Sequence, residues 1–239
     1  MFSKPLIFLL ACVFNVCAIS MVANSQHAYS DIVITGAMKN VMWKGQLAGI
    51  IDIDTIVSKK GLYGIGPLSY LKGEVLVADG KCYVSRVISG SEMRVELTNE
   101  ASAPFFVHAH VNEWHEMELP MHIKTINDLE THIDLLTKEY KRPFAFKISG
   151  SVHHASIHTQ NLPDGSKVSS PEEAHQGQTD YELKDEKVEI IGFFSTEHQG
   201  IFTHHDSYLH MHLITDDREQ MGHLDEVEFN KMKLYLPVK

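Results

Sequence analysis

The spacing of apolar and polar positions changes along the chain, and each change marks an element. Residues 29–66 carry Ile32, Val33, Met38, Val41 and Met42 at helical spacing, then a short segment between Asp54, suited to an N-cap, and Gly61, suited to a stop. Both pieces are expected to be covering helices. Beyond Gly66 the period becomes two: residues 73–78, the turn Asp79-Gly80 and residues 81–86 spell a β-hairpin. Further strands are expected at 93–98 and 105–111. Residues 127–140 form the clearest helix, with Leu129, Ile133, Leu136 and Tyr140 on one stripe, Asn127 and Glu130 as a capping pair and Pro143 as a stop. A strand follows at 144–150, an exposed polar loop at 160–182, and strands again at 188–194, 208–215 and 232–236.

The first 25 residues stand apart from this pattern. Lys4 precedes an apolar run over 6–14, and the small residues Ala23 and Ser25 follow, the layout of a cleaved export signal. Residues 1–25 are therefore expected to be a signal peptide and 26–239 one folded domain in a periplasmic or secreted setting. The apolar run is shorter than the ~20 residues of a membrane span, so no membrane association is expected after cleavage. Leu9-Leu10-Ala11-Cys12 loosely resembles a lipid-attachment box, but it lies very near the start. Of three cysteines only Cys82 then remains, which excludes an internal disulfide and places a thiol in a strand, buried rather than reactive. The net charge of -10 argues against nucleic acid or an anionic membrane surface as a partner.

Sixteen histidines make any single one a weak candidate, so spacing has to select among them. In Tyr208-Leu209-His210-Met211-His212-Leu213 the alternation of a strand puts His210 and His212 on one face, about 6.6 Å apart along the chain. His223, beyond the turn-like Asp216-Asp217-Arg218, could return to meet them. Three neutral imidazoles leave coordination positions open for water or substrate, as a catalytic zinc site requires. His108 and His110, with His115 nearby, form a competing pair of the same kind, and solvated histidines on a half-exposed sheet remain a third reading. His153, His154, His204 and His205 are sequence neighbours whose side chains diverge on a strand, and are expected at the surface.

The segment 208–227, with His210-Met211-His212 and then Gly222-His223, resembles the C-terminal metal motif of the acetolactate decarboxylases. Two upstream stretches are similar to that family as well: Gly64-Ile65-Gly66 with Gly73-Glu74, Asp79-Gly80, Tyr83 and Arg86, and Phe144-Ala145-Phe146-Lys147-Ile148-Ser149-Gly150 after the amphipathic helix. The resemblance implies an α+β fold of two mixed or antiparallel β-sheets with peripheral helices and a metal pocket between them. It implies Zn²⁺ on His210, His212 and His223, other divalent transition metals being accepted by the same donors. Glu74 becomes the pocket carboxylate, and the reaction becomes loss of CO₂ from 2-acetolactate, or a related small 2-hydroxy-3-keto acid, to give acetoin.

Two positions depart from that pattern. Where the family places an arginine after the 144–150 strand, counting forward gives His158, which cannot hold a carboxylate by two charged hydrogen bonds. A glutamate expected beyond the last strand has no counterpart in Pro237-Val238-Lys239. Arg86, Arg142 and Lys147 are the cations that could substitute. A homologue that binds a metal or small organic acid without catalysis is the alternative reading, and a cupin-like metalloenzyme ranks third for want of that fold's glycines and second histidine motif. The sequence leaves a homodimer open.

Overall fold

The computed structural model describes residues 32–56 and 59–238; the segment read as an export signal lies outside them. In chain order the first half holds β1 (Val33–Thr35), α1 (Met38–Lys44), β2 (Ile51–Asp52), β3 (Leu62–Pro67), β4 (Glu74–Ala78), β5 (Lys81–Ser89), β6 (Glu92–Leu97), β7 (Ser102–Ala103), β8 (Phe106–His110) and β9 (Trp114–Glu118). The second half holds α2 (Ile126–Leu136), β10 (Phe144–Thr159), α3 (Pro171–Ala174), β11 (Thr179–Lys184), β12 (Lys187–Phe194), β13 (Leu209–Thr215) and β14 (Met221–Pro237). Two six-stranded sheets result, ordered β1-β8-β3-β4-β5-β6 and β11-β10-β12-β13-β14-β9, with β2 and β7 paired separately. The pairings between these strands are antiparallel. Because β14 also pairs with β10, the strands β10, β12, β13 and β14 close a ring.

This is a mostly β fold with few helices, which corrects the α+β expectation. The reason lies in residues 29–66. Among the described residues there, Met38–Lys44 is the one α-helix, and Gly45 ends it in the left-handed region at φ 60°. Ile53–Thr55 is a single 3₁₀ turn. Residues 62–67 become β3, buried on both faces, so no alternation advertises a strand. Gly64 matters here because a Cβ on it would stand 2.5 Å from the Phe106 ring that lies across it.

The hairpin forms as expected. Asp79 and Gly80 take φ 45° and 78°, as a two-residue turn between twisted strands demands. Helix α2 begins earlier than its pattern suggests: Thr125 is the cap, its hydroxyl accepting the Asp128 N–H at 3.2 Å while Asp128 accepts the Thr125 N–H at 3.0 Å. Glu130, expected in the cap, instead accepts from the Ser207 hydroxyl at 2.7 Å and the Tyr208 N–H at 2.8 Å, which pins the start of β13. The helix stops at Leu136, short of Tyr140. Residues 160–182 are not an exposed loop: Leu162, Val168 and Ala174 are buried against Val41, Leu71 and Phe105, and the stretch contains α3 and the start of β11.

Alternation sorts the core into layers. From the first sheet Ile65, Leu76, Ala78, Val107 and Ala109 point towards Ala145, Ile191, Phe193, Ile214 and Met221 of the second. Val75, Val77, Val84 and Phe106 fill the outer face of the first sheet, where Cys82 is also buried, its thiol pKa pushed up to about 12 by burial. Parity therefore gives Glu74 the inward face of Leu76 and Ala78, and His210 and His212 the inward face of Ile214.

His108 sits on the outer face beside Phe106, buried, with no hydrogen-bond partner for Nδ1. Burial lowers its pKa to about 4. A histidine neutral in the folded chain and protonatable near 6.5 when unfolded adds stability above pH 6.5 and loses it as pH falls towards 4. Between pH 7 and pH 4.5, His108→Leu is expected to lose roughly 2–3 kcal/mol less stability than the parent. Urea unfolding at the two pH values measures the difference, and equal losses would contradict it.

Candidate metal centre

Three adjacent strands bring the histidines together. In the register of β13 with β14, His212 lies opposite His223, and in that of β14 with β10, His223 lies opposite His158. Opposed residues of an antiparallel pair share a face, so one row runs His212, His223, His158, with His210 two residues along β13. Gly222 permits the approach: a Cβ there would stand 2.4 Å from the His158 carbonyl oxygen. This gives the Gly-His pair read from the sequence a steric reason.

His210, His212 and His223 are buried, and their ligand atoms lie within 4.8 Å of one another. Ring centroids are 5.2 Å apart for His210 and His212, 5.1 Å for His210 and His223, and 5.4 Å for His212 and His223. Burial holds His210 and His223 well below the usual histidine range, and takes His212 down to about 3. All three are therefore neutral at pH 7, the form that ligates a metal. His210 Nδ1 and both ring nitrogens of His212 lack a hydrogen-bond partner. Such orphans cost ~1–3 kcal/mol each, so the donor set fits a cation that would satisfy several at once.

Around the trio stand groups that hold protons. Glu74 is buried, its Oε2 3.7 Å from His212 Nε2 and its Oε1 accepting the Gln160 N–H at 3.3 Å. Burial raises its pKa well above the carboxylate range, helped by the charge of Asp225 and opposed by the Gln160 hydrogen bond. His158 Nδ1 lies 2.7 Å from Asp225, whose carboxylate can only accept. The other ring nitrogen then carries a lone pair and accepts from Gln160 Nε2 at a long 3.4 Å. A cavity of about 230 Å³ opens over these residues, lined by Glu74 and Phe105 from the first sheet's side, by seven histidines that include His158, His204, His210, His212 and His223, and by Met38, Lys39 and Met42 of α1.

The five residues singled out from the sequence, Glu74, His158, His210, His212 and His223, all line this cavity. The competing pair does not: His108 belongs to the outer face of the first sheet, and His115 is on β9 in the second. Among the described residues only His210, His212 and His223 form a compact ligand group. None of the proposed substitute cations reaches the cavity. Arg142 is bound to Asp134 at 2.6 Å, Lys147 lies over the Tyr235 ring at 4.4 Å, and Arg86 is 3.8 Å from Glu96. Lys39 is the lysine that does line it, on a helix face whose direction relative to the sheets no periodicity reveals. His204, expected at the surface, is half-buried with Nε2 3.0 Å from His223 Nε2. Asp225 was also missed: it lies at a register shift of β14 against β10, between Leu224 opposite Ile157 and Glu226 opposite Ser156, where alternation gives no guide.

Known proteins resemble the chain in sequence and in fold. The family described as alpha-acetolactate decarboxylase matches residues 34–238. An alpha-acetolactate decarboxylase of Lactococcus lactis is 28% identical over 184 residues, covering 75% of this chain and 72% of the relative. One from Methanosarcina mazei is 22% identical over 216 residues, covering 89% and 71%. The crystal structure of alpha-acetolactate decarboxylase from Bacillus subtilis shares the fold with a TM-score of 0.72 at 23% identity, over 88% of this chain and 86% of that one. With the family match running across nearly all the described residues, the chain belongs to the alpha-acetolactate decarboxylase family.

Proposed function

We propose that the protein decarboxylates 2-acetolactate, or a closely related small 2-hydroxy-3-keto acid, to acetoin, using a divalent metal held between the two sheets by His210, His212 and His223, with zinc the first choice. One observation carries the reading: three buried, neutral imidazoles, two of them with unpartnered nitrogens, converge on a substrate-sized cavity in a chain of this family. Bound there, the ion supplies Lewis-acid withdrawal of charge from the oxygens of an α-hydroxy ketone.

The remaining steps fall to the chain's own groups. Loss of CO₂ breaks the bond between the carboxyl carbon and C2, leaves its electron pair on C2 delocalised towards the ketone oxygen, and requires a proton at C2. Glu74, a buried carboxyl group 3.7 Å from His212 Nε2, stands beside the ligands, and we assign it the delivery to C2. His158, steered by Asp225, offers Nε2 as an acceptor for the substrate hydroxyl, which can replace the long Gln160 contact. It does not replace an arginine. That task goes to Lys39, among the described residues the only lysine or arginine lining the cavity, which attracts the substrate carboxylate at the mouth. Met38, Met42, Leu71 and Phe105 supply the apolar wall on which the methyl groups rest. Export to a periplasmic or secreted setting remains part of this reading, on the apolar run over 6–14.

Purified protein incubated with racemic acetolactate is expected to release acetoin, to stop on treatment with a chelator and to recover on adding Zn²⁺. Glu74→Gln should lower kcat by ~10²–10⁴-fold while metal content stays unchanged. Stoichiometric metal with no acetoin under any loading would instead support a binding homologue without catalysis. For Lys39→Gln the expected change is a KM raised roughly five- to tenfold at nearly constant kcat. An unchanged KM would remove Lys39 from the site.

A further inference from the structure

We infer that His204 is a fourth, displaceable imidazole ligand of the ion, closing the coordination sphere when no substrate is bound. The inference rests on the metal reading above and adds a residue to it. His204 Nε2 lies 3.0 Å from His223 Nε2. Nitrogen ligands about 2.0–2.1 Å from one tetrahedral ion stand roughly 3.3–3.4 Å from each other, so His204 is close to a neighbouring ligand's separation from His223, and its ring has to turn to reach the other two, whose compact group does not include it. Its ring is 4.9 Å from that of His223 and 6.4 Å from that of His210, on the side of the trio that faces the cavity.

Two imidazole nitrogens approach this closely only when one carries the hydrogen and the other the lone pair. An ion that takes the lone pair of His223 Nε2 ends that hydrogen bond. A His204 ring with its proton on Nδ1 then turns its own Nε2 lone pair towards the same point. Nothing in a strand ladder holds the ring back, since His204 lies in the segment between β12 and β13. The backbone there is anchored on one side by buried Phe202 and Thr203, and on the other by the grip of Glu130 on Ser207 and Tyr208. The ring also has room to retreat: His204 and His223 both line a second cavity of about 200 Å³, which includes Asp206, Ser207 and Asp225.

Four imidazoles would give a closed site, tight for the ion and without a vacancy. A substrate that binds through two oxygens has to displace the most weakly held of the four. His210, His212 and His223 are fixed by β13 and β14, whereas His204 is carried by a connecting segment, so His204 is the one that leaves.

The test compares intact wild type with His204→Ala and His204→Gln, each freed of metal and titrated with Zn²⁺ against a competing chelator, then with Co²⁺ followed by visible absorption. Wild type is expected to give the intense bands of four-coordinate cobalt. Both variants should lose intensity as water raises the coordination number, and should bind Zn²⁺ at least about tenfold more weakly. Adding acetoin, a neutral two-oxygen chelator, should change the wild-type spectrum towards that of the variants plus acetoin. Far-UV dichroism of the metal-free forms checks folding, and His204→Gln covers a collapse of the alanine variant. Metal binding by wild type with the same affinity and spectrum in the variants overturns the role of His204 alone. Failure of wild type to bind either ion overturns the metal reading and this inference with it.

Discussion

Everything at the site depends on three buried imidazoles that share one side of the second sheet, two of them without enough hydrogen-bond partners. Folding withdraws His210, His212 and His223 from water, and burial keeps each neutral. A core selected only for stability would replace such orphaned nitrogens with apolar atoms, because an unpaired buried polar group costs more than a methyl group of similar size. Three of these orphaned nitrogens belong to two histidines of the trio, where the ligand atoms converge. Antiparallel register enforces the convergence. His212 faces His223 across one pair of strands, His158 faces His223 across the next, and Gly222 lets β14 lie close enough to β10 for the row to form.

Around this row the surroundings divide labour by protonation state. Glu74 comes from the other sheet, and burial raises its pKa in the metal-free site, so a carboxyl group stands beside the three imidazoles. Asp225 orients His158 and thereby decides which of its nitrogens faces the cavity. Gln160 touches both, through its backbone N–H to Glu74 and its side chain to His158, and ties the two proton-bearing groups to one residue. The residues that meet solvent at the mouth, Lys39 and Trp43 among them, belong to α1, whose first N–H groups are satisfied by the carbonyls of Ile201 and Gly200. The segment carrying His204 thus also seats the helix that frames the entrance.

Much of this was legible in the chain where one period dominates. The hairpin over 73–86 announced itself by alternation and by Asp79-Gly80, while Glu74 was picked out by the family resemblance alone. Alternation put His210 and His212 on one face but did the same for His108 and His110, and the resemblance chose between the pairs. Illegible were the places where a second constraint overrides the first. Strand β3 is buried on both faces and has no polar side to reveal it. Strand β10 runs on to Thr159 through Ser149, Ser151, His153 and His154, polar residues at an exposed, bulged stretch that conceal its length and so conceal that His158 faces His223. Residues 160–182 look solvated because few apolar side chains, Leu162, Val168, Ala174 and Tyr181, anchor them. The direction of His204 depends on a turn, and turns have no period.

X-ray absorption at the zinc edge of the loaded protein tests the central claim most directly. The account predicts nitrogen and oxygen neighbours only, at about 2.0–2.1 Å, with the outer-shell scattering of at least three imidazole rings. A spectrum with at most one imidazole, or no zinc retained once loosely bound metal is removed, would contradict it.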